Sequence, residues 1–117
     1  MAVMLECGAG RSWVGLCWEW VGSDLSVTLV GGESPHIGAV SLAFPCNDHV
    51  EVQTISVPGH KESNLTANYA KQIAKVLGCS VKISGGIHID HASRYEIALL
   101  CKNAESLIQK FLTILTA

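Results

Sequence analysis

Apolar and polar residues alternate through most of the first half of the chain, which is the pattern of half-buried β-strands. One alternating run covers residues 12–21 and a second begins at Leu25, so the two are predicted to form a hairpin. A third run ends at Pro45, and a fourth covers residues 50–57. The apolar positions of the fourth run change parity near Gln53, which predicts a β-bulge or a strong twist there.

The second half of the chain changes period twice. Apolar residues recur at spacings of three and four over residues 65–77, as on one face of a helix, and residues 79–89 alternate as a fifth strand. A second helical stripe follows Ser93, and Glu96 three residues later completes a capping-box signature for its start. We therefore predict one domain over residues 1–117, of class α/β (α+β). It should be a single layer of about five strands, a mixed sheet with N-terminal antiparallel hairpins, packed by two to three helices.

A glycine-rich loop containing a histidine joins the second and third predicted strands. Residues 31–38 read GGESPHIG, and Pro35 favours extended backbone before it, so His36 should be presented where the next strand begins. We expect this loop at one edge of the sheet. A second glycine pair, at 85–86, is followed by His88. Glycine backbone leaves amide N–H groups uncovered for an anion, so the two segments could form one site, although two glycine turns with incidental histidines explain the pattern equally well.

A third histidine, His60, directly precedes the first predicted helix. The exposed amides of a helix N-terminus favour anions, so Lys61 is here either a phosphate contact or an ordinary surface charge. Three neutral imidazoles from separate segments, those of His36, His60 and His88, could hold a divalent metal while leaving one position open for water or a ligand oxygen.

The chain carries no recognisable catalytic motif. It has no HExxH or CxxC spacing, no serine in a GxSxG setting, and neither a GxGxxG nor a P-loop pattern. No catalytic residue is therefore predicted, and a metal-dependent enzyme whose three histidines activate water stays open as an alternative. Asp90 and His91, which follow the second glycine pair, are interpreted as further ligands, partners of a ligand, or caps of the last helix.

Composition narrows the class of partner. Hydrophobic residues make up 49% of the chain and charged residues 15%, which leaves little polar covering and favours a homo-oligomer. The net charge of −2 and the dispersed cations argue against nucleic acid, and no apolar run approaches the length of a membrane span. Residues 1–10 lack the basic start of a secretory signal, and five cysteines without paired spacing are expected to be reduced thiols, so we expect a cytoplasmic protein.

Three motifs resemble one known family. They are the run GGxxPHIG at 31–38, His60 leading into a helix, and the GIH sequence at 86–88, in the same order along residues 24–115. Together they resemble the prenylated-flavin chaperone (LpdD-like) family, the small D subunits associated with UbiD-type decarboxylases of gallate and other phenolic acids. The resemblance implies a small, oligomeric, non-catalytic α/β protein. It would bind prenylated FMN or FMN through the phosphate end, with or without a divalent metal such as Mn²⁺ or Zn²⁺. It would deliver the cofactor to, or protect it for, the large subunit of a UbiD-type decarboxylase.

The residues and the resemblance together define two predicted sets. The predicted metal ligands are His36, His60 and His88. The predicted cofactor-binding residues are Gly31, Gly32, His36, Gly38, Lys61, Gly85 and Gly86. A structural small subunit of a phenolic-acid decarboxylase complex is a further alternative.

Overall fold

A single sheet with helices on one side forms the molecule, as seen in a computed structural model that describes residues 1–59 and 63–117. The elements follow in the order β1 (Leu5–Cys7), a single 3-10 turn (Gly10–Ser12), β2 (Val14–Val21), β3 (Asp24–Gly32), β4 (Ala39–Cys46), β5 (His49–Ser56), α1 (Ser63–Leu77), β6 (Val81–His88) and α2 (Arg94–Leu115). Neither α1 nor α2, the helices of the described residues, is long and apolar enough to cross a membrane.

The strands lie in the order β1-β2-β3-β6-β4-β5. Strand β6 is central: it runs parallel to β3 and antiparallel to β4, and α1 connects it to β5. The prediction of a mixed sheet with N-terminal hairpins is confirmed, with a sixth strand added by β1. That strand has three residues, paired through Leu5 opposite Leu16, and so is too short to show a hydrophobic period.

Both helices pack on the same face of the sheet and build one core. Ile73 of α1 and Phe111 of α2 are fully buried in the same cluster as Leu16 and Ile83 from the sheet. The Phe111 ring meets Trp18 of β2 edge-on, with centroids 4.7 Å apart. Since side chains alternate along a strand, the residues between these core positions form a second face, which no helix of the described residues covers.

The bulge predicted near Gln53 is wrong. Strands β4 and β5 pair without interruption from Ala39 opposite Ser56 to Cys46 opposite His49. The apolar parity changes because Ile55 points to the open face of this edge strand, where it is 80% exposed. An exposed apolar residue therefore produced the same sequence pattern as a shift in register would.

From the sequence we expected the loop of residues 33–38 at one edge of the sheet. It lies instead at the centre of the sheet. Because β6 inserts between β3 and β4, the loop must cross the end of β6 to join them. Two hydrogen bonds fix it there: Glu33 N–H donates to the His88 carbonyl at 2.8 Å, and Gly38 N–H donates to the Gly85 carbonyl at 2.9 Å. The fold thus places the two glycine and histidine segments against each other.

Candidate functional site

The structure brings together His36 and His88, from the two distant glycine-rich segments. Their ring centroids are 6.2 Å apart, and the planes are nearly perpendicular at 84°. His36 lies in the loop that crosses β6, and His88 is the last residue of β6. Backbone connectivity alone therefore positions both imidazoles at the same end of the sheet.

His36 lies directly against the backbone of Gly86. A Cβ placed at position 86 would come 2.5 Å from His36 Nε2 and 2.7 Å from Cε1. On its other side the ring is held by Ser34, whose carbonyl oxygen is 2.8 Å from His36 Nδ1. A carbonyl only accepts hydrogen bonds, so Nδ1 carries the hydrogen and the neutral ring has its lone pair on Nε2.

His88 is oriented by a carboxylate. Its Nε2 lies 2.8 Å from Oδ1 of Asp90, and this hydrogen bond is the main reason why the pKa of Asp90 is lower than usual. With Nε2–H donating, the neutral ring of His88 has its lone pair on Nδ1. A carboxylate that fixes the tautomer of a histidine is the usual outer partner of a metal-binding imidazole.

Arg11 links the segments that carry the two histidines. Its guanidinium donates to Glu33 Oε1 at 2.6 Å, to Glu96 Oε2 at 2.6 Å and to the Asp90 carbonyl at 2.9 Å. Glu33 also accepts from Asp90 N–H at 3.3 Å, and Glu96 closes the capping box with Ser93 that starts α2. The hydrogen bond from Arg11 is the largest of the causes that lower the pKa of Glu96 to about 2. One cation thus ties the loop after β3, the turn after β6 and the start of α2.

Comparison with known proteins identifies the family. The family model described as the prenylated flavin chaperone LpdD-like domain matches residues 8–116. The chain belongs to this family. A relative, Protein LpdD of Lactiplantibacillus plantarum, is 29% identical over 99 residues, which cover 83% of this chain and 73% of that protein. The resemblance stated from the sequence is confirmed, and the family is one of accessory chaperones.

A solved structure shares the fold. A chain from the crystal structure of a chaperone complex for yeast 20S proteasome assembly superposes with a TM-score of 0.61, covering 98% of this chain and 94% of that one. The two sequences are 11% identical. At this identity the likeness establishes the architecture of the LpdD-like chain and nothing about its ligands.

Two glycines of the LpdD-like chain are required by close packing of the strands. Gly32 has a φ of +76°, and a Cβ there would collide with the His88 carbonyl. A Cβ on Gly85 would collide with the carbonyl of Leu29 on the adjacent strand β3. These glycines therefore allow β3 and β6 to approach each other, whatever the site binds.

Amide groups of the glycine loop are partly used within the chain. Gly32 N–H donates to the Trp13 carbonyl at 2.8 Å, and Gly38 N–H donates to Gly85. Gly31 packs with its Cα against the same Trp13 carbonyl, which a Cβ would approach to 2.7 Å. Direct contact of a ligand with the predicted glycines stays a prediction.

Three further candidate residues, His60, Lys61 and His91, are not placed at the histidine pair by the described structure. His60 and Lys61 lie outside the described residues. His91 is exposed, with a φ of +52°, and the cap of α2 that it was a candidate for is supplied by Ser93. Its charge is a minor influence on the pKa of neighbouring Asp90.

A polar track continues from the histidines along the open face of β6. Lys82, Ser84 and Gly86 alternate on the same face as His88. Lys82 Nζ donates to Ser84 Oγ at 3.0 Å, and burial lowers the pKa of the lysine below its usual value. The central strand therefore carries a partly desolvated cation on the same face of the sheet as His88, at the opposite end of β6.

Sequence reasoning missed Arg11. Its partners are far apart in the chain, so no local pattern could identify them. The available signal was its setting: it is one of only two arginines, it lies between Gly10 and Ser12, and charged residues are scarce. An arginine in a turn of a chain with few charged residues is a candidate for hydrogen bonds that link distant segments.

Proposed function

We propose that this chain binds prenylated FMN at the end of the sheet where His36 and His88 meet, and delivers or protects it for a UbiD-type decarboxylase. The observation that carries the proposal is the convergence of these two histidines in a member of the prenylated-flavin chaperone family. Membership of the family supports this class of ligand, and the convergence of the two histidines supports this position for it.

In this proposal a divalent metal held by the imidazoles would bind the phosphate end of the flavin. Hydrogen bonds to Ser34 and Asp90 leave the lone pairs of the neutral rings on His36 Nε2 and His88 Nδ1. Imidazole nitrogens suit Zn²⁺, and phosphate or water oxygens would complete the preferred coordination of Mn²⁺. When bound, the metal would supply positive charge to the phosphate, and His60 is the proposed third ligand.

The exposure of the site supports a role in handing the cofactor on. The His88 side chain is 50% exposed, and its partner Asp90 is 78% exposed. A chaperone must release its cargo, so a site that opens to the surface suits transfer better than a closed cavity. The chemistry of decarboxylation would remain with the flavin in the decarboxylase, while this chain binds and orients the cofactor.

The test is a binding titration. Metal-free protein is titrated with FMN and with prenylated FMN, each without metal and with Mn²⁺ or Zn²⁺, and binding is followed by flavin absorbance and fluorescence. The His36→Ala and His88→Ala variants should lose flavin binding, while His49→Ala, at the start of β5 and the opposite end of the sheet, should keep it. If neither flavin binds under any metal condition, the proposal fails.

Delivery is tested with the second partner present. Chaperone loaded with prenylated FMN should activate a cofactor-free UbiD-type decarboxylase faster than the same amount of free cofactor does. Co-purification with the decarboxylase without any flavin binding would support the structural-subunit alternative instead. Turnover of a substrate by this chain alone would support the metal-dependent enzyme.

Oligomerisation and cytoplasmic location are parts of the same proposal. Leu42 and Ile55 are 45% and 80% exposed on the open face of the sheet, which supports a homo-oligomer that covers them. All five cysteines are free thiols, which suits a reducing compartment. Sedimentation equilibrium measures the oligomeric state directly, and a monomer at micromolar concentration would remove that part of the proposal.

A further inference from the structure

A second group of metal-binding side chains lies at the tip of the hairpin between β4 and β5. Cys46 is the last residue of β4 and is paired directly with His49, the first residue of β5. Glu51 follows two residues later on the same face of the strand. Ligand atoms of these three residues all lie within 4.8 Å of one another.

The hairpin holds these residues together without a metal. Strands β4 and β5 pair along eight consecutive positions, and a two-residue turn with Asn47 at a φ of +59° closes them. His49 Nε2 is already 2.6 Å from Glu51 Oε1. Little backbone movement is needed for the three donors to converge, so the cost of organising the site is low.

We propose that Cys46, His49 and Glu51 form a Zn²⁺ site. Thiolate, imidazole and carboxylate are the three ligand types that zinc uses in proteins. Tetrahedral zinc with bonds of about 2.0–2.3 Å places its donor atoms roughly 3.3–3.8 Å apart. The three donors lie within 4.8 Å of one another, so small side-chain rotations would bring them to these separations. If His49 and Glu51 formed only an ion pair, Cys46 would have no part in it. In a metal site the Cys46 thiolate makes the three ligands selective for zinc over magnesium or calcium.

The fourth position of this zinc site is available to water. Asp48 Oδ1 lies 3.7 Å from His49 Nδ1, the ring nitrogen on the side away from Glu51, and would act as an outer partner of the imidazole. The site is remote from the proposed flavin site: Ala39, at the other end of β4, pairs with Gly85, and the eight residues of β4 separate the two ends by about 24 Å. The inference therefore does not depend on the proposed function.

The test uses Co²⁺ as a spectroscopic substitute for zinc. Reduced, metal-free protein is titrated with Co²⁺, and thiolate ligation is read from the thiolate-to-cobalt charge-transfer absorption; Zn²⁺ then displaces cobalt and removes the band. We expect one equivalent of this absorption in the native protein and its loss in Cys46→Ser. The matched control Cys101→Ser, which removes an exposed thiol of α2, should keep the band.

Further variants separate this site from the histidine pair. In the His36→Ala/His88→Ala background, Zn²⁺ affinity measured by competition with a chelator should fall at least about tenfold when His49→Gln is added, since loss of an outer partner of a ligand already costs this much. The double variant His36→Ala/His88→Ala should retain the thiolate band. Absence of the band in the native protein, or its persistence in Cys46→Ser, would overturn the zinc site. Circular dichroism of each variant checks folding. Zn²⁺ should raise the melting temperature of the His36→Ala/His88→Ala variant, in which the histidine pair is absent, and this rise should be lost when Cys46→Ser is added.

Discussion

The imidazole of His36 occupies the space that a side chain at Gly86 would need. Three ring atoms, Nε2, Cε1 and Cδ2, lie 2.5, 2.7 and 2.8 Å from the position of a Cβ there. Glycine at 86 is therefore what allows the loop histidine to pack against the central strand. The two conspicuous motifs of the sequence, PHIG and GIH, are two halves of one contact.

A methyl group at position 86 should disturb the site more than the fold. In Gly86→Ala the obstacle is the end of a side chain that can rotate away, so we expect His36 to leave its place beside His88. Metal and flavin binding should weaken at least about tenfold. The free energy of unfolding should change by no more than about 1 kcal/mol. Flavin titration and urea denaturation measure the two effects.

The neighbouring glycine provides the contrast. In Gly85→Ala the methyl group meets the Leu29 carbonyl, which belongs to the backbone of an adjacent strand and cannot rotate away. We expect a loss of about 1–3 kcal/mol in the free energy of unfolding, as for other overpacked positions. Equal stability losses in the two variants would show that His36 does not yield as a flexible side chain.

The carboxylate behind His88 should tune metal binding. Asp90→Asn keeps the shape of the side chain but removes the charge that favours the Nε2–H tautomer. We expect the affinity of the histidine site for Mn²⁺ or Zn²⁺ to fall by roughly 10–100-fold. Calorimetric titration measures it, with Glu105→Gln on α2 as a control that should leave the affinity unchanged. An unaltered affinity in Asp90→Asn would contradict the ligand role of His88.

Most of the fold could be predicted because its signals are local. The alternation of β2 and β3, the period of α2 and the capping box between Ser93 and Glu96 are each contained in a short stretch of sequence. The errors arise where a local pattern has two explanations. Ile55 changed the parity of β5 through exposure on an edge strand and not through a bulge.

The candidate site could be predicted only in part. His36 and His88 were recognisable from their glycine neighbours, but their meeting depends on β6 inserting between β3 and β4, which is a property of the whole sheet. Arg11 was not recognisable, because Glu33 and Glu96 are brought to it from distant segments. Long-range topology thus decided what residue types alone could not.

The buried hydroxyl of Ser41, which bonds to two threonine hydroxyls, should contribute to stability. Ser41 is fully buried, and its Oγ lies 2.7 Å from Thr54 Oγ1 and 2.8 Å from Thr66 Oγ1. Ser41→Ala removes a partner from both threonines, so we expect a loss of about 1–2 kcal/mol in the free energy of unfolding. Urea denaturation measures it against Ser106→Ala, an exposed serine of α2 whose replacement should cost less than about 0.5 kcal/mol. Similar values for the two variants would mean that the buried contacts contribute nothing.

The Arg11 network should make stability depend on acid pH. The pKa of Glu96 is about 2 in the folded chain against a usual 4.5, chiefly because of the hydrogen bond from Arg11. As the pH falls below 4.5, the Glu96 carboxylate is protonated in the unfolded chain before it is protonated in the folded chain. The stabilisation is therefore complete above pH 4.5 and is lost as the pH falls to about 2. In Arg11→Met the free energy of unfolding should fall less steeply across this window, with some slope remaining because Ser93 N–H still donates to Glu96. Urea denaturation at a series of pH values measures the slope, and Lys110→Met, which removes an exposed cation of α2, should match the native protein. An unchanged slope in Arg11→Met would show that the arginine is not the cause of the lowered pKa of Glu96. It would also show that the Arg11 hydrogen bonds between the two histidine segments do not contribute to stability.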